Sequence, residues 1–294
     1  MGLGYEGWIK VDDKYALGTG TSFPRTRPRL DSASGYGGDK EGPSATMGVG
    51  LPYNFDYDQF EGSLNFDVST TFYQSVVLDW LFKRQTAKPV KFSTRVQNVQ
   101  YFENCFWSSI GISASEGGQV EGSLGFYAIE RDAYTYGQEY PTDKEGNADG
   151  STRAPVCPMG TGFPPQLNPS SGFNLNPVPY WNTDVLVTGI TDAEFLNWNM
   201  DFSQDVVRFF VCESNTSAQP PKYLAVGPLT ATFSGSYMLQ GGFLGDTITQ
   251  IEILVGGVSL KLRRLEANTE ADDVQSPDAL VPLTVEYTAY ELAA

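Results

Sequence analysis

The chain has 294 residues, 40% of them hydrophobic and 13% aromatic, with 31 Gly, 18 Pro, 3 Cys, no histidine and a formal net charge of −16. That length can bury a core in one large domain or two small ones. The missing imidazole excludes Ser-His-Asp and Cys-His nucleophilic sites and most zinc chemistry, and the acidic balance is the wrong sign for neutralising phosphates in a conventional nucleic-acid interface.

The composition favours strands and turns over helices. No window approaches 18 uninterrupted apolar residues, so no membrane anchor is expected. The start, Met1-Gly-Leu-Gly-Tyr-Glu-Gly-Trp-Ile-Lys10, lacks the basic and apolar regions of an export leader. Cys105, Cys157 and Cys212 are odd in number and form no CxxC pair, which predicts free thiols in a cytoplasmically made protein.

Trp8-Ile-Lys-Val11 and Tyr15-Ala-Leu17 read as a hairpin around Asp12-Asp13-Lys14, closed by Gly18-Thr-Gly20. Phe23-Pro-Arg-Thr-Arg-Pro-Arg-Leu30 carries two prolines, which argue against a central strand. It reads as a basic extended arm or long loop within residues 1–45. Arg25, Arg27 and Arg29, with Tyr36 beyond them, are subunit-contact candidates, able to dock on an acidic neighbour; the alternative is an ordinary solvated loop.

Residues 53–69 alternate, with Phe60, Gly62, Leu64, Phe66 and Val68 on one face and Glu61, Ser63, Asn65 and Asp67 on the other. That is a half-buried strand. The period then changes. Phe72, Val76, Val77, Trp80 and Leu81 form one helical stripe over 70–84, with Thr70 or Thr71 as cap and Lys83-Arg84 at the C-terminal end. Strands follow at about 90–96, 105–115 and 119–129. The third contains Glu121-Gly-Ser-Leu-Gly-Phe126, a near copy of Glu61-Gly-Ser-Leu-Asn-Phe66. Residues 139–182 are a Pro/Gly-rich linker or loop between two expected β domains, 46–138 and 183–294. Strands resume at 185–189, 195–202, 206–212, 229–239, 247–255, 259–265 and 283–290. In the fourth, Phe233-Ser-Gly-Ser-Tyr237 echoes the hexapeptides, and Thr230, Thr232, Ser234 and Ser236 make one wholly polar face.

No P-loop, GxSxG or HExxH pattern is present, so no catalytic, cofactor or metal residue is expected and the chain reads as a non-enzyme. Carboxylate pairs such as Asp56/Asp58 and Glu61/Asp67 are the residue type a glycosidase needs, but such pairs arise readily among 35 acidic residues. The aromatic runs at Phe102 to Trp107 and Phe195 to Trp198 suit core packing, with a sugar-stacking platform as the alternative.

An ordered set of motifs spans most of the chain: Gly-Tyr-Glu-Gly-Trp-Ile-Lys-Val (4–11), Leu-Gly-Thr-Gly (17–20), Pro-Arg-Thr-Arg-Pro-Arg-Leu-Asp-Ser (24–32) and Gly-Tyr-Gly-Gly (35–38). Asp79-Trp-Leu-Phe-Lys-Arg84, Trp107 to Gly118, Val120 to Phe126, Ala128 to Tyr134, Trp198-Asn-Met-Asp-Phe202 and Tyr223 to Ser236 follow. This order resembles tail tube proteins of long-tailed bacteriophages, especially those of actinobacteria. The 137–182 stretch and the acidic 266–278 loop depart from it.

The resemblance implies β-sandwich units with one flanking helix, whose strands join around a ring. It implies stacked rings forming a hollow conduit for double-stranded DNA, other tail proteins as partners, and a virion location after assembly in the host cytoplasm. Two tube domains per chain would let three chains imitate a six-fold ring. Within that picture Glu61, Asp67, Glu121, Thr230, Thr232 and Ser234 are lumen-facing candidates, in a wall that does not trap phosphate. A carbohydrate-binding or tail-tip β-sandwich is the alternative.

Overall fold

The computed structural model describes residues 8–12, 14–22, 25–26, 59–95, 98–135, 176–188, 193–209, 223–239, 248–271 and 283–294. Over these the protein is all-β with one flanking helix. Its strands are β1 Trp8–Val11, β2 Lys14–Ser22, β3 Arg25–Thr26, β4 Gln59–Asp67, β5 Lys88–Arg95, β6 Asn98–Ser115 and β7 Glu121–Thr135. In the second half they are β8 Thr183–Val187, β9 Ala193–Phe209, β10 Tyr223–Leu239, β11 Gln250–Val255, β12 Val258–Ala271 and β13 Leu283–Ala293.

All the pairings are antiparallel. In the first half, β2, β4, β7, β6, β5 and β1 pair in that order, and β1 returns to β2, closing a six-stranded barrel. In the second half, β9, β10, β13, β12, β11 and β8 pair in that order. Numbered from one to six within each half, with β3 counted as a continuation of β2, both orders are second, third, sixth, fifth, fourth, first. The connectivity therefore repeats. The second half differs in that, among the described residues, side chains and not a ladder link β9 to β8 and to the turn before it. The Trp198 indole donates to Thr183 Oγ1 at 3.4 Å, and the Tyr180 hydroxyl donates to the Phe195 carbonyl.

β6 is long enough to join the halves. Its first part pairs with β5, and its last seven residues, Ser109–Ser115, pair on the same edge with Asn197–Ser203 of β9. Three buried valines add a closed triangle of backbone hydrogen bonds. Val68 N donates to Val120 O (2.9 Å), Val120 N to Val178 O (2.8 Å) and Val178 N to Val68 O (2.8 Å). Each of these buried donors is thereby matched, as burial demands.

The core follows the alternation. Leu64, Leu124, Ile110, Phe202 and Ala231 lie opposite one another in a buried row, as do Phe66, Gly122, Ile112, Met200, Phe233 and Tyr287. The two hexapeptides turn out to be partners within one barrel. Gly62 faces Phe126, Phe66 faces Gly122 and Leu64 faces Leu124. A Cβ on Gly122 would lie 2.4 Å from the Phe66 ring, so this glycine makes room for the aromatic across from it. Register instead matches Glu61–Phe66 to Thr232–Tyr237, because Gly62 and Phe233 hold the same place opposite Phe126 and Tyr287.

The helix α1 runs over 70–82 without a break, its middle turns Tyr73–Leu78 being π-helical. Ser69, not Thr70 or Thr71, caps it: its Oγ accepts from Phe72 N at 3.2 Å. The predicted stripe of Phe72, Val76, Val77, Trp80 and Leu81 is buried, with Tyr73 and Leu78 beside it. Lys88, 6% exposed, holds the helix to β5 through Asp79 (2.8 Å). Two further expectations are corrected. The strands expected at 195–202 and 206–212 are, as far as Phe209, one element, β9, with a bulge where Val206 pairs with Val226 and Gln204 with Leu229; 210–212 lie outside the described residues. The return strand of the first hairpin does not end at Leu17 but continues through Gly18 and Gly20 to Ser22.

Candidate functional site

The chemistry of the alternating strands separates onto two faces. Opposite the core, Asn65, Ser123, Gly111, Asp201, Thr232, Thr288 and Glu266 face one another in a row across seven strands, β4, β7, β6, β9, β10, β13 and β12. A second row, two residues along, contains Asp67, Glu121, Ser113, Asn199, Ser234, Glu286 and Thr269. Flanking rows add Ser63, Gly125, Ser109, Ser203 and Thr230 on one side and Ser115, Asn197, Ser236 and Thr284 on the other. The polar face crosses the β6–β9 joint without interruption. Its two central rows hold five carboxylates and no lysine or arginine.

The sequence-based candidates fall on this face. Asp67 and Glu121 come together directly across β4 and β7. Thr230, Thr232 and Ser234 lie on β10, opposite Ser203, Asp201 and Asn199. Glu61 shares the β4 face and lies opposite Tyr127. Sequence reasoning missed Asp201, Glu266 and Glu286, together with the Ser109-Ile-Gly-Ile-Ser113 alternation of β6. The signal was available: Asn197-Trp-Asn-Met-Asp-Phe-Ser203 and Val285-Glu-Tyr-Thr-Ala289 alternate as cleanly as Glu61 to Asp67. Arg25 is placed in β3, opposite Phe60. Arg27, Arg29 and Tyr36 lie outside the described residues.

Hydrogen bonds organise the polar face. Asn268 Nδ2 donates to Glu286 Oε1 (3.1 Å) and Thr288 Oγ1 (2.9 Å), Asn197 Oδ1 accepts from Ser236 N (3.1 Å), and Asn199 donates to Asp201. Gly111, at the joint, lets Ser123 and Asp201 approach from either side. A Cβ there would lie 2.6 Å from Ser123 Oγ and 3.0 Å from Asp201 Oδ1. Burial first, and the charge of Glu121 second, push the Asp67 carboxyl above its ordinary value. Tyr290 is also raised, chiefly because its hydroxyl donates to the Glu266 carboxylate.

Chemically this is a broad, polar, acidic surface. Among the described residues no group of three or more His, Cys, Asp or Glu side chains is placed to hold a metal ion. Of the aromatic runs, Phe106 lies on this face, half-buried opposite Tyr127. Phe102, Trp107 and Trp198 are buried, and Phe195 packs edge-on to Phe233 at 5.7 Å. Cys105 is buried, and its thiol donates to the Phe102 carbonyl at 3.5 Å; Cys157 and Cys212 lie outside the described residues, as do Asp56 and Asp58.

No protein-family model matches the chain, and no curated protein matches it. Among solved structures, Hcp1 from Flavobacterium johnsoniae is similar to 44% of this chain over 94% of its own length, at 10% identity and a TM-score of 0.31. An extracellular contractile injection system, a PVC sheath–tube complex in the extended state, is similar over 45% of this chain and 89% of its own, at 13% identity and a TM-score of 0.30.

Proposed function

We propose that this chain is a structural subunit that assembles with copies of itself into stacked rings, forming a tube whose inner wall is the acidic polar face. The observation that carries the reading is that face: seven strands wide, continuous across both halves, with five carboxylates and no cation in its central rows. Double-stranded DNA binds cationic surfaces by releasing its counterions. A wall of serine, threonine, asparagine and carboxylates keeps its water and repels phosphate weakly, so a duplex can slide without adhering. The order of the sequence motifs supports a more specific assignment, the tail tube of a long-tailed phage, delivering DNA from the virion and contacting other tail proteins. Two repeats per chain suit a trimeric ring with pseudo-six-fold symmetry. The work is done by assembly, not catalysis.

Electron microscopy of the purified protein, concentrated stepwise, tests this. The expected result is hollow tubes of uniform width whose stain-filled channel admits a DNA duplex. A discrete, non-tubular particle at every concentration overturns it.

A further inference from the structure

The repeat is accurate enough to match the two halves position by position. Asn104 in β6 and Arg264 in β12 are non-glycine residues at positive φ, 50° and 53°, and are 160 residues apart. Their neighbours keep that spacing. Val90 and Phe92 of β5 lie opposite Phe102 and Gln100, as Ile251 and Ile253 of β11 lie opposite Leu262 and Leu260. β1 then corresponds to β8, because Ile9 and Val11 face Phe92 and Val90 while Val185 and Val187 face Ile253 and Ile251. β2 corresponds to β9 through a shared bulge. It follows Gly18, opposite Phe66, and recurs after Phe195, opposite Tyr237, so Leu17 corresponds to Glu194.

The first barrel closes through a β1–β2 ladder that sets Trp8 opposite Leu17 and Ile9 opposite Ala16. The corresponding places in the second half hold Asp184 against Glu194 and Val185 against Ala193. Like charges at facing positions oppose strand pairing, and no β8–β9 ladder forms among the described residues. The two strands part instead around a cleft of about 610 Å³. Asp184 on β8 and Glu194 on β9, both exposed, stand on its opposite walls. The buried Val185 and Val187 supply apolar lining, and Trp181, 81% exposed, stands beside them. Among the described residues, no lysine or arginine lines the cleft. Its field is negative: the Tyr180 phenol, also in the lining, is pushed up by burial first and then by the charges of Glu116 and Glu194.

We propose that this cleft is a binding site for an alkylammonium group, held between Asp184 and Glu194, with its hydrocarbon chain over Val185 and Val187. Each requirement of such a ligand has a counterpart here. The ammonium donates charge-assisted hydrogen bonds to both carboxylates, the face of an exposed tryptophan attracts a cation, and the hydrocarbon chain leaves water for apolar lining. A cleft of this size with a few convergent polar groups is the usual form of a small-ligand site. The bound cation also removes the repulsion that keeps the seam open, so occupancy stabilises the second barrel. A free polyamine and a lysine side chain both carry this group. The site does not depend on the assembly reading, and the failure of either leaves the other standing.

Isothermal titration calorimetry of the dispersed full chain at low salt tests it, with cadaverine and the blocked tripeptide Ala-Lys-Ala as probes. Binding at one site per chain is expected, together with a rise in Tm. The uncharged analogue 1,5-pentanediol should not bind. Asp184→Asn with Glu194→Gln should weaken binding by about tenfold or more, and Trp181→Ala by about threefold. Asp205→Asn with Glu291→Gln removes two charges elsewhere on the surface and should leave binding unchanged. Tighter binding of the tripeptide identifies a partner's lysine as the source; equal or tighter binding of cadaverine identifies a free amine. Either keeps the site. Equal weakening by the two double variants means that net charge alone attracts the amine, and overturns it. So does binding of a neutral oligosaccharide such as maltohexaose in place of the amines, or an absence of binding by both amine probes.

Discussion

Trp80→Ala removes the largest side chain that α1 places in the core. Trp80 is 0% exposed, its indole Nε1 donates to Thr86 O at 2.9 Å, and its own carbonyl accepts from the Trp107 indole at 3.1 Å. The second bond is to backbone and survives the substitution; the first does not. Truncating a fully buried Trp to Ala costs about 3–5 kcal/mol through lost burial and the cavity left behind. In a protein of this size that lowers Tm by roughly 10 °C. Trp80→Phe separates the causes. It keeps most of the ring and deletes the donor to Thr86, an exposed residue whose carbonyl water can serve, so its hydrogen-bond loss is about 1 kcal/mol. Calorimetry of the unassembled protomer reads both variants. A Tm for Trp80→Ala within about 2 °C of the parent, well below the shift expected from this burial, would falsify the view that the helix seals the core.

Gly122→Ala should destabilise by about 1–3 kcal/mol in urea, because its new Cβ meets the Phe66 ring within a paired strand that cannot move aside. Tyr73→Phe should stabilise by about 1 kcal/mol in the same assay, since the buried Tyr73 hydroxyl has no hydrogen-bond partner among the described residues. The triple variant Glu121→Lys, Asp201→Lys, Glu286→Lys should still form tubes by electron microscopy but retain duplex DNA, most strongly at low salt, where screening is weakest. Normal DNA release from that variant at low salt counts against the lumen assignment.

The strands were legible because one face is buried: wherever Leu64, Phe66, Phe126 or Phe233 had to point inward, period two survived in the sequence. The helix was legible for the same reason, through the stripe ending at Trp80 and Leu81. Pairing was not. The two Glu-Gly-Ser-Leu hexapeptides looked like copies of one unit and are neighbours in a barrel, because a glycine opposite an aromatic satisfies either arrangement locally. The true internal repeat is carried by bulges at Thr19 and Leu196 and at Ser108 and Asn268. A bulge leaves no residue signature of its own when residues as different as these can occupy it. The polar face was read strand by strand. Its width, and the arrival of Asp201, Glu266 and Glu286 in its rows, depend on register across the sheet, which no single strand encodes.

Two carboxylates, one just before α1 and one in its last turn, titrate with opposite consequences for stability, and this gives a sharp check on the electrostatics. Asp79 is lowered below its ordinary 3.8, first by hydrogen bonds from Lys83 and then by Lys88. The folded state holds its charge more firmly than the unfolded state does, so its contribution is present above pH 3.8 and is lost as pH falls through the folded value. Asp67 is raised, by burial and then by Glu121. Its folded state prefers the proton, so acidification stabilises it, and the benefit disappears as pH rises from 3.8 through the higher folded value. Above that value the Asp67–Glu121 repulsion persists in the folded state, a standing cost of an acidic face. Asp67→Asn should therefore raise Tm at pH 7, and the gain should vanish in acid. Asp79→Asn should lower Tm at pH 7, because the buried Lys88 loses its nearest counter-charge among the described residues, where Asp12 at 3.6 Å remains, and that loss too should shrink in acid. Measured from pH 7 downward, the two difference curves converge on zero from opposite sides. If Asp67→Asn lowers Tm at pH 7, the carboxylate pair is stabilised by something other than the groups facing it, and the polar face is not a repulsive surface.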